Sequence, residues 1–117
     1  MGRADQPSLR RAARWDGLLP AVIENGAGRD LTGPDELAAL VAEVQALRAA
    51  ASCAAEPYDV VIEGDSSREF VRLDPPEPAA WAAAGATWWV ESWWTIEPGA
   101  PGLAEVRRRI EAGPPAG

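Results

Sequence analysis

Thr87–Thr95 reads TWWVESWWT, and no other stretch restricts the fold as tightly. Four of the chain's six tryptophans lie there, with a carboxylate and a hydroxyl between them. Aromatic and β-branched residues suit a pleated, buried surface. As a strand, this run sends Trp88, Val90, Ser92 and Trp94 to one face and Trp89, Glu91 and Trp93 to the other. Tryptophan on both faces predicts cover on both faces, the usual condition of a parallel strand in an α/β protein. Gly85 marks the turn into the strand. Glu91 falls late in the run, where such a strand meets its following loop. In parallel α/β sheets that carboxyl end is where ligands bind. Two readings of Glu91 stand side by side: a functional carboxylate, or a solvated loop residue next to a tryptophan core.

The rest of the chain alternates helix and strand patterns. Ser8 can cap a short helix from Leu9 to about Trp15, with Leu9, Ala12 and Ala13 inward and Arg10, Arg11 and Arg14 outward. Leu18 to Pro20 reads as a brief buried strand, since proline cannot donate to a ladder. Glu24 to Leu31 reads as loop. Thr32 or Gly33 can cap a long helix with Pro34, Asp35 and Glu36 in its first turn. Leu37, Leu40, Val41, Val44 and Leu47 then share one face, and the helix ends in the alanine tract from Ala49 to Ala55. Tyr58–Glu63 is a second strand, closed by Gly64 and followed by the loop Asp65-Ser66-Ser67. Arg68 to Pro78 is a proline-rich connection, and Pro78–Ala84 a short helix. Leu103, Val106 and Ile110 define a last amphipathic helix, stopped by Gly113-Pro114-Pro115. Strands alternating with helices predict an α/β chain with three parallel strands and helices on one side.

With 117 residues, the chain has the size of one small domain, with flexible ends expected at 1–7 and 113–117. A net charge of −7 argues against binding a nucleic-acid backbone. The arginine runs Arg10-Arg11-Arg14 and Arg107-Arg108-Arg109 read as solvated helix faces. The chain contains neither histidine nor lysine. Histidine-based triads, histidine-ligated metals and lysine Schiff bases are therefore excluded within it. Cys53 is the single cysteine, which rules out a disulfide framework and fits a reducing cytoplasm. No apolar run is long enough to span a membrane, and the N-terminus does not read as a signal peptide.

Four segments together carry a family resemblance. SLRRAARWDGLLP (Ser8–Pro20), YDVVIEG (Tyr58–Gly64), AGATWWVESWW (Ala84–Trp94) and VRRRIEAGPP (Val106–Pro115) resemble the C-terminal part of luciferase-like flavin-dependent oxidoreductases. The first and third are the most specific. The connection at Arg68–Pro78 and the C-terminal end depart from the family pattern. The resemblance implies a partial (β/α)8 TIM barrel, comprising its last three βα units. It implies a flavin cofactor, FMN or the deazaflavin coenzyme, and monooxygenase-type chemistry on a small organic substrate. A complete barrel takes about 250 residues, so the first part of it is missing from this chain. What the resemblance leaves here is the phosphate side of the cofactor site. Barrels often hold a phosphate in the loops after their last strands. Those loops give Gly64, Asp65, Ser66, Ser67, Glu91, Ser92 and Trp93 as candidate cofactor-binding residues, with no catalytic residue assigned and no metal. Glycine allows close backbone approach and the serines can donate hydrogen bonds. Glu63, Asp65 and Glu91 oppose a phosphate unless backbone N–H groups face it, and Gly64–Ser67 equally reads as an ordinary strand-ending turn.

Three functions compete: a flavin-enzyme segment, inactive alone; a non-catalytic truncated product or interaction module; and a binding protein using Trp88–Trp94 as an aromatic platform. An open three-stranded sheet exposes its edges and one face. It predicts self-association or pairing with the missing N-terminal barrel half.

Overall fold

The computed structural model describes residues 6–20, 33–64, 78–92 and 96–114. The readings made for Glu24–Leu31, for Asp65, Ser66 and Ser67, for most of the Arg68–Pro78 connection, and for Trp93 and Trp94 lie outside these residues. So do those for residues 1–5 and 115–117. The order of elements is α1 (Gln6–Ala12), β1 (Gly17–Leu18), α2 (Pro34–Ala50), β2 (Asp59–Gly64), α3 (Pro78–Ala83), β3 (Trp88–Glu91) and α4 (Ala100–Glu111). The strands form one sheet in the order β1-β2-β3, and both pairings are parallel. The chain is thus α/β with three parallel strands as expected, although the first lies at Gly17–Leu18 and is half-buried, with Leu19 exposed, rather than a buried strand over Leu18–Pro20.

Each boundary has a local cause. The first helix begins at Gln6 rather than after Ser8. Pro7 fits its first turn, where a missing N–H costs nothing. β1 stops before Pro20, as a residue without a donor requires. Gly33 is the N-cap of α2 and Pro34 follows it. At the other end the Cys53 N–H donates to the Arg48 carbonyl (2.9 Å) and the Ser52 N–H to Ala49 (3.1 Å). Ser52 sits between them with φ of 60°. This is a Schellman closure with serine at the left-handed position.

The core lies on one face of the sheet. Leu37 from α2 and Trp81 from α3 pack together with Val60 and Ile62 of β2. Val60 and Ile62, two residues apart, point to the same side of the sheet. Both helices that connect the strands therefore cover the same face. A second cluster joins Leu9 and Ala13 at α1 to Val44 of α2, and Leu40 and Tyr58 touch both clusters. The expected apolar face of α2 is the one that packs.

Among the described residues no helix covers the other face. Register aligns Val61 with Trp88 and Glu63 with Val90. On it Trp88 is 61% and Val90 38% exposed. The expectation of cover on both faces of β3 is thus corrected: among the described residues no element lies over Trp88. The last helix also differs from expectation. α4 is amphipathic, but its apolar stripe faces outward, with Leu103 52% and Ile110 72% exposed. The buried side is instead the one carrying Gly102. A Cβ at Gly102 would collide with the Glu97 carbonyl, so only glycine lets the helix start sit this close. Arg109, seven residues on, shares that side.

No helix among the described residues is long and apolar enough to cross a membrane.

Candidate site at the carboxyl ends of β2 and β3

The ends of β2 and β3 bring three of the seven candidate residues together: Gly64, Glu91 and Ser92. Gly64 pairs with Glu91 in register, and the Ser92 N–H donates to the Gly64 carbonyl at 2.8 Å. Asp65, Ser66, Ser67 and Trp93 lie outside the described residues.

The parallel register decides which way each side chain points. Ile62 is paired with Trp89, and Gly64 with Glu91, so Trp89 and Glu91 share the helix-covered face. Gly64 has a packing reason to be glycine: a Cβ there would lie 2.8 Å from Cζ2 of Trp89 and closer still to its Cη2. On that side its Cα is thus occupied by an indole ring. Glu91 is neither a solvated loop residue nor turned toward the open face. Its Oε2 accepts a hydrogen bond from Trp89 Nε1 at 2.9 Å. It also lies 3.4 Å from Arg109 Nη2 of α4, with side-chain exposures of 22% and 18% for Glu91 and Arg109.

Arg109 is the functional-looking residue that sequence reasoning missed. Arg107 is exposed as expected, and Arg108 pairs with Glu105 on the helix surface. Arg109 instead turns inward, and its Nη1 donates to the Gly113 carbonyl. The signal was its seven-residue spacing from Gly102. The bridge ties α4 to the end of β3, and it places a cation beside the carboxylate that would otherwise repel an anion there. Glu63, on the open face, keeps its opposing charge.

A second polar cluster is structural. Arg48 is 2% exposed on α2. Its Nη1 donates to Ala13 O (3.2 Å), and its Nη2 to Cys53 O and Glu56 O (2.7 Å each). Its guanidinium lies over the Tyr58 ring, 4.3 Å from the centroid, a favourable cation–π geometry. The Tyr58 hydroxyl donates to Ala12 O at 3.0 Å. Burial pushes the Tyr58 pKa up, and Arg48 partly offsets this. These contacts bind the ends of α1 and α2 together under β1 and β2. Cys53 Sγ lies near the Ala13 and Arg48 carbonyls in the same cluster.

Among the described residues no group of three or more acidic, cysteine or histidine side chains is placed to hold a metal ion. Comparison with protein-family models, with curated proteins and with solved structures returned no match.

Proposed function

We propose that this chain is the C-terminal three-βα segment of a luciferase-like flavin-dependent barrel, and that it contributes the phosphate side of the flavin site. One observation carries the reading: the strands run parallel in sequential order, and both connecting helices cover the same face. A doubly wound sheet puts helices on both faces, whereas a barrel puts every helix outside and leaves an inner face for side chains and ligand. Trp88, Val90 and Glu63 would face that interior. Glu91, paired with Arg109, would face the helical layer. The chain's residues fit an anionic group at this end to the extent that Arg109 compensates Glu91. Ser92 would hold a phosphate oxygen, and the flavin, FMN or its deazaflavin counterpart, would supply the redox chemistry when bound. The substrate-side strands and the flavin-ring contacts belong to the missing units, so turnover requires them.

The test is complementation. The chain is refolded with the first five βα units of a luciferase-like flavin enzyme, and FMN retained after gel filtration is measured. Retention by the mixture, and by neither part alone, is expected, with loss on Ser92→Ala. A mixture that retains no FMN overturns the reading. The alternative, an interaction module without flavin, is favoured by the outward apolar stripe of α4.

A further inference from the structure

The last helix is docked by charge where the others are docked by apolar side chains. Among the described residues neither core cluster includes a residue of α4. Gly102 is the buried residue of this helix, and it has no side chain to contribute. Every apolar side chain of α4 is exposed; the half-buried ones belong to Glu105 and Arg109. Glu105 pairs with Arg108 within the helix. Arg109 reaches the sheet, where its Nη2 lies 3.4 Å from Glu91 Oε2. That same oxygen accepts from Trp89 Nε1, and the Trp89 ring lies against Gly64. A line of contacts thus runs from α4 to the end of β2.

A segment that buries little apolar surface opens at a lower free energy than the core. Leu9, Leu37, Val44 and Trp81 hold the other helices in the two clusters, so these open with the fold as a whole. A helix of 12 residues is marginal in water by itself, so α4 melts when it leaves the sheet. Salt screens an ion pair between half-exposed groups and does not weaken apolar packing in the same way.

We propose that α4 is a releasable strap: it opens as a unit while α2 and the sheet stay folded, and the Glu91–Arg109 pair sets how often. Docked, the strap compensates Glu91. Released, it withdraws a positive charge from the carboxyl end of β2 and β3. The proposal rests on the contacts of α4 and not on the flavin reading, so either can fail alone.

The test is amide hydrogen exchange of the full chain at about 0.1 M and about 1 M sodium chloride. Amides of residues 104–111 in α4 are expected to be protected, but at least about tenfold less than those of residues 38–50 in α2. Glu91→Gln keeps an acceptor for Trp89 Nε1 and removes the charge. It should lower the protection of α4 by about three- to tenfold and leave α2 unchanged. High salt should lower the protection of α4 in the parent chain, and much less in Glu91→Gln. Protection of α4 equal to that of α2 overturns the proposal, as does an α4 with no protection at all. So does protection of α4 that Glu91→Gln leaves intact, a loss that α2 shares, or a salt effect that Glu91→Gln does not reduce.

Discussion

Ser52 is the only non-glycine residue with positive φ among the described residues. It closes α2 where a left-handed residue is required, and an L-residue with a Cβ is held there at a cost of about 1 kcal/mol. Ser52→Gly should therefore stabilise the chain by roughly 0.5–1 kcal/mol, seen as a higher urea midpoint. No change would mean that the serine side chain compensates its backbone. Arg48 makes the opposite prediction. Its removal orphans the buried Ala13 carbonyl and the part-buried carbonyls of Cys53 and Glu56, so Arg48→Ala should cost roughly 2–4 kcal/mol. Arg48→Lys should recover only part of this, because an ammonium cannot fork to Ala13, Cys53 and Glu56 together. Tyr58 adds a pH dependence. Its pKa is raised by burial in the fold, so its neutral form is favoured there. That stability is fully present below the ordinary tyrosine value of about 10 and is lost as pH rises from there through the higher folded value. With no lysine and a single tyrosine in the chain, little else titrates in that window. Tyr58→Phe should flatten the alkaline fall in unfolding free energy, and an undiminished fall would contradict the assignment.

At the scale of elements, α2 is the piece on which the others lean. Leu37 is fully buried against β2 and α3, and Leu40 touches both core clusters. Leu37→Ala should cost roughly 2–5 kcal/mol, with Leu40→Ala toward the lower end because Leu40 is only half-buried. A near-neutral Leu37→Ala would show that the helix does not pack as described. This face was legible in the sequence because apolar residues recur there at helical spacing, between a Gly-Pro start and an alanine-rich end. The three parallel strands were legible for the same kind of reason, through alternation and flanking glycine or proline. α4 shows where such reasoning stops. Its apolar stripe is as regular as that of α2, yet a small glycine and an inward arginine set which side packs. Periodicity reports that a helix has an apolar side but not what lies beside it. Gly64 and Glu91 were likewise singled out from sequence without their actual contacts. Register, which turns Trp89 over the glycine and Glu91 toward α4, is a property of two strands at once. Arg48 and Trp81 were missed because each gains its meaning from partners distant in sequence.

At the scale of the whole molecule, the described residues are built on one side of the sheet. Its helices bury one face of a parallel sheet, while Trp88, Val90 and the stripe of α4 stay accessible. An open face of this kind suits a segment that works as part of something larger, whether further βα units or a second copy. It also bears on ligand binding. On the proposed reading the ends of β2 and β3 hold at most the phosphate end of a flavin, and association must first overcome several kcal/mol of lost translational and rotational freedom. The central claim, that this chain holds only part of a flavin site, is tested most directly by titrating the purified chain alone with FMN while following tryptophan and flavin fluorescence. The account predicts no saturable quenching at micromolar flavin. Saturable quenching in that range, abolished by Ser92→Ala, would contradict it and show a complete site within these 117 residues.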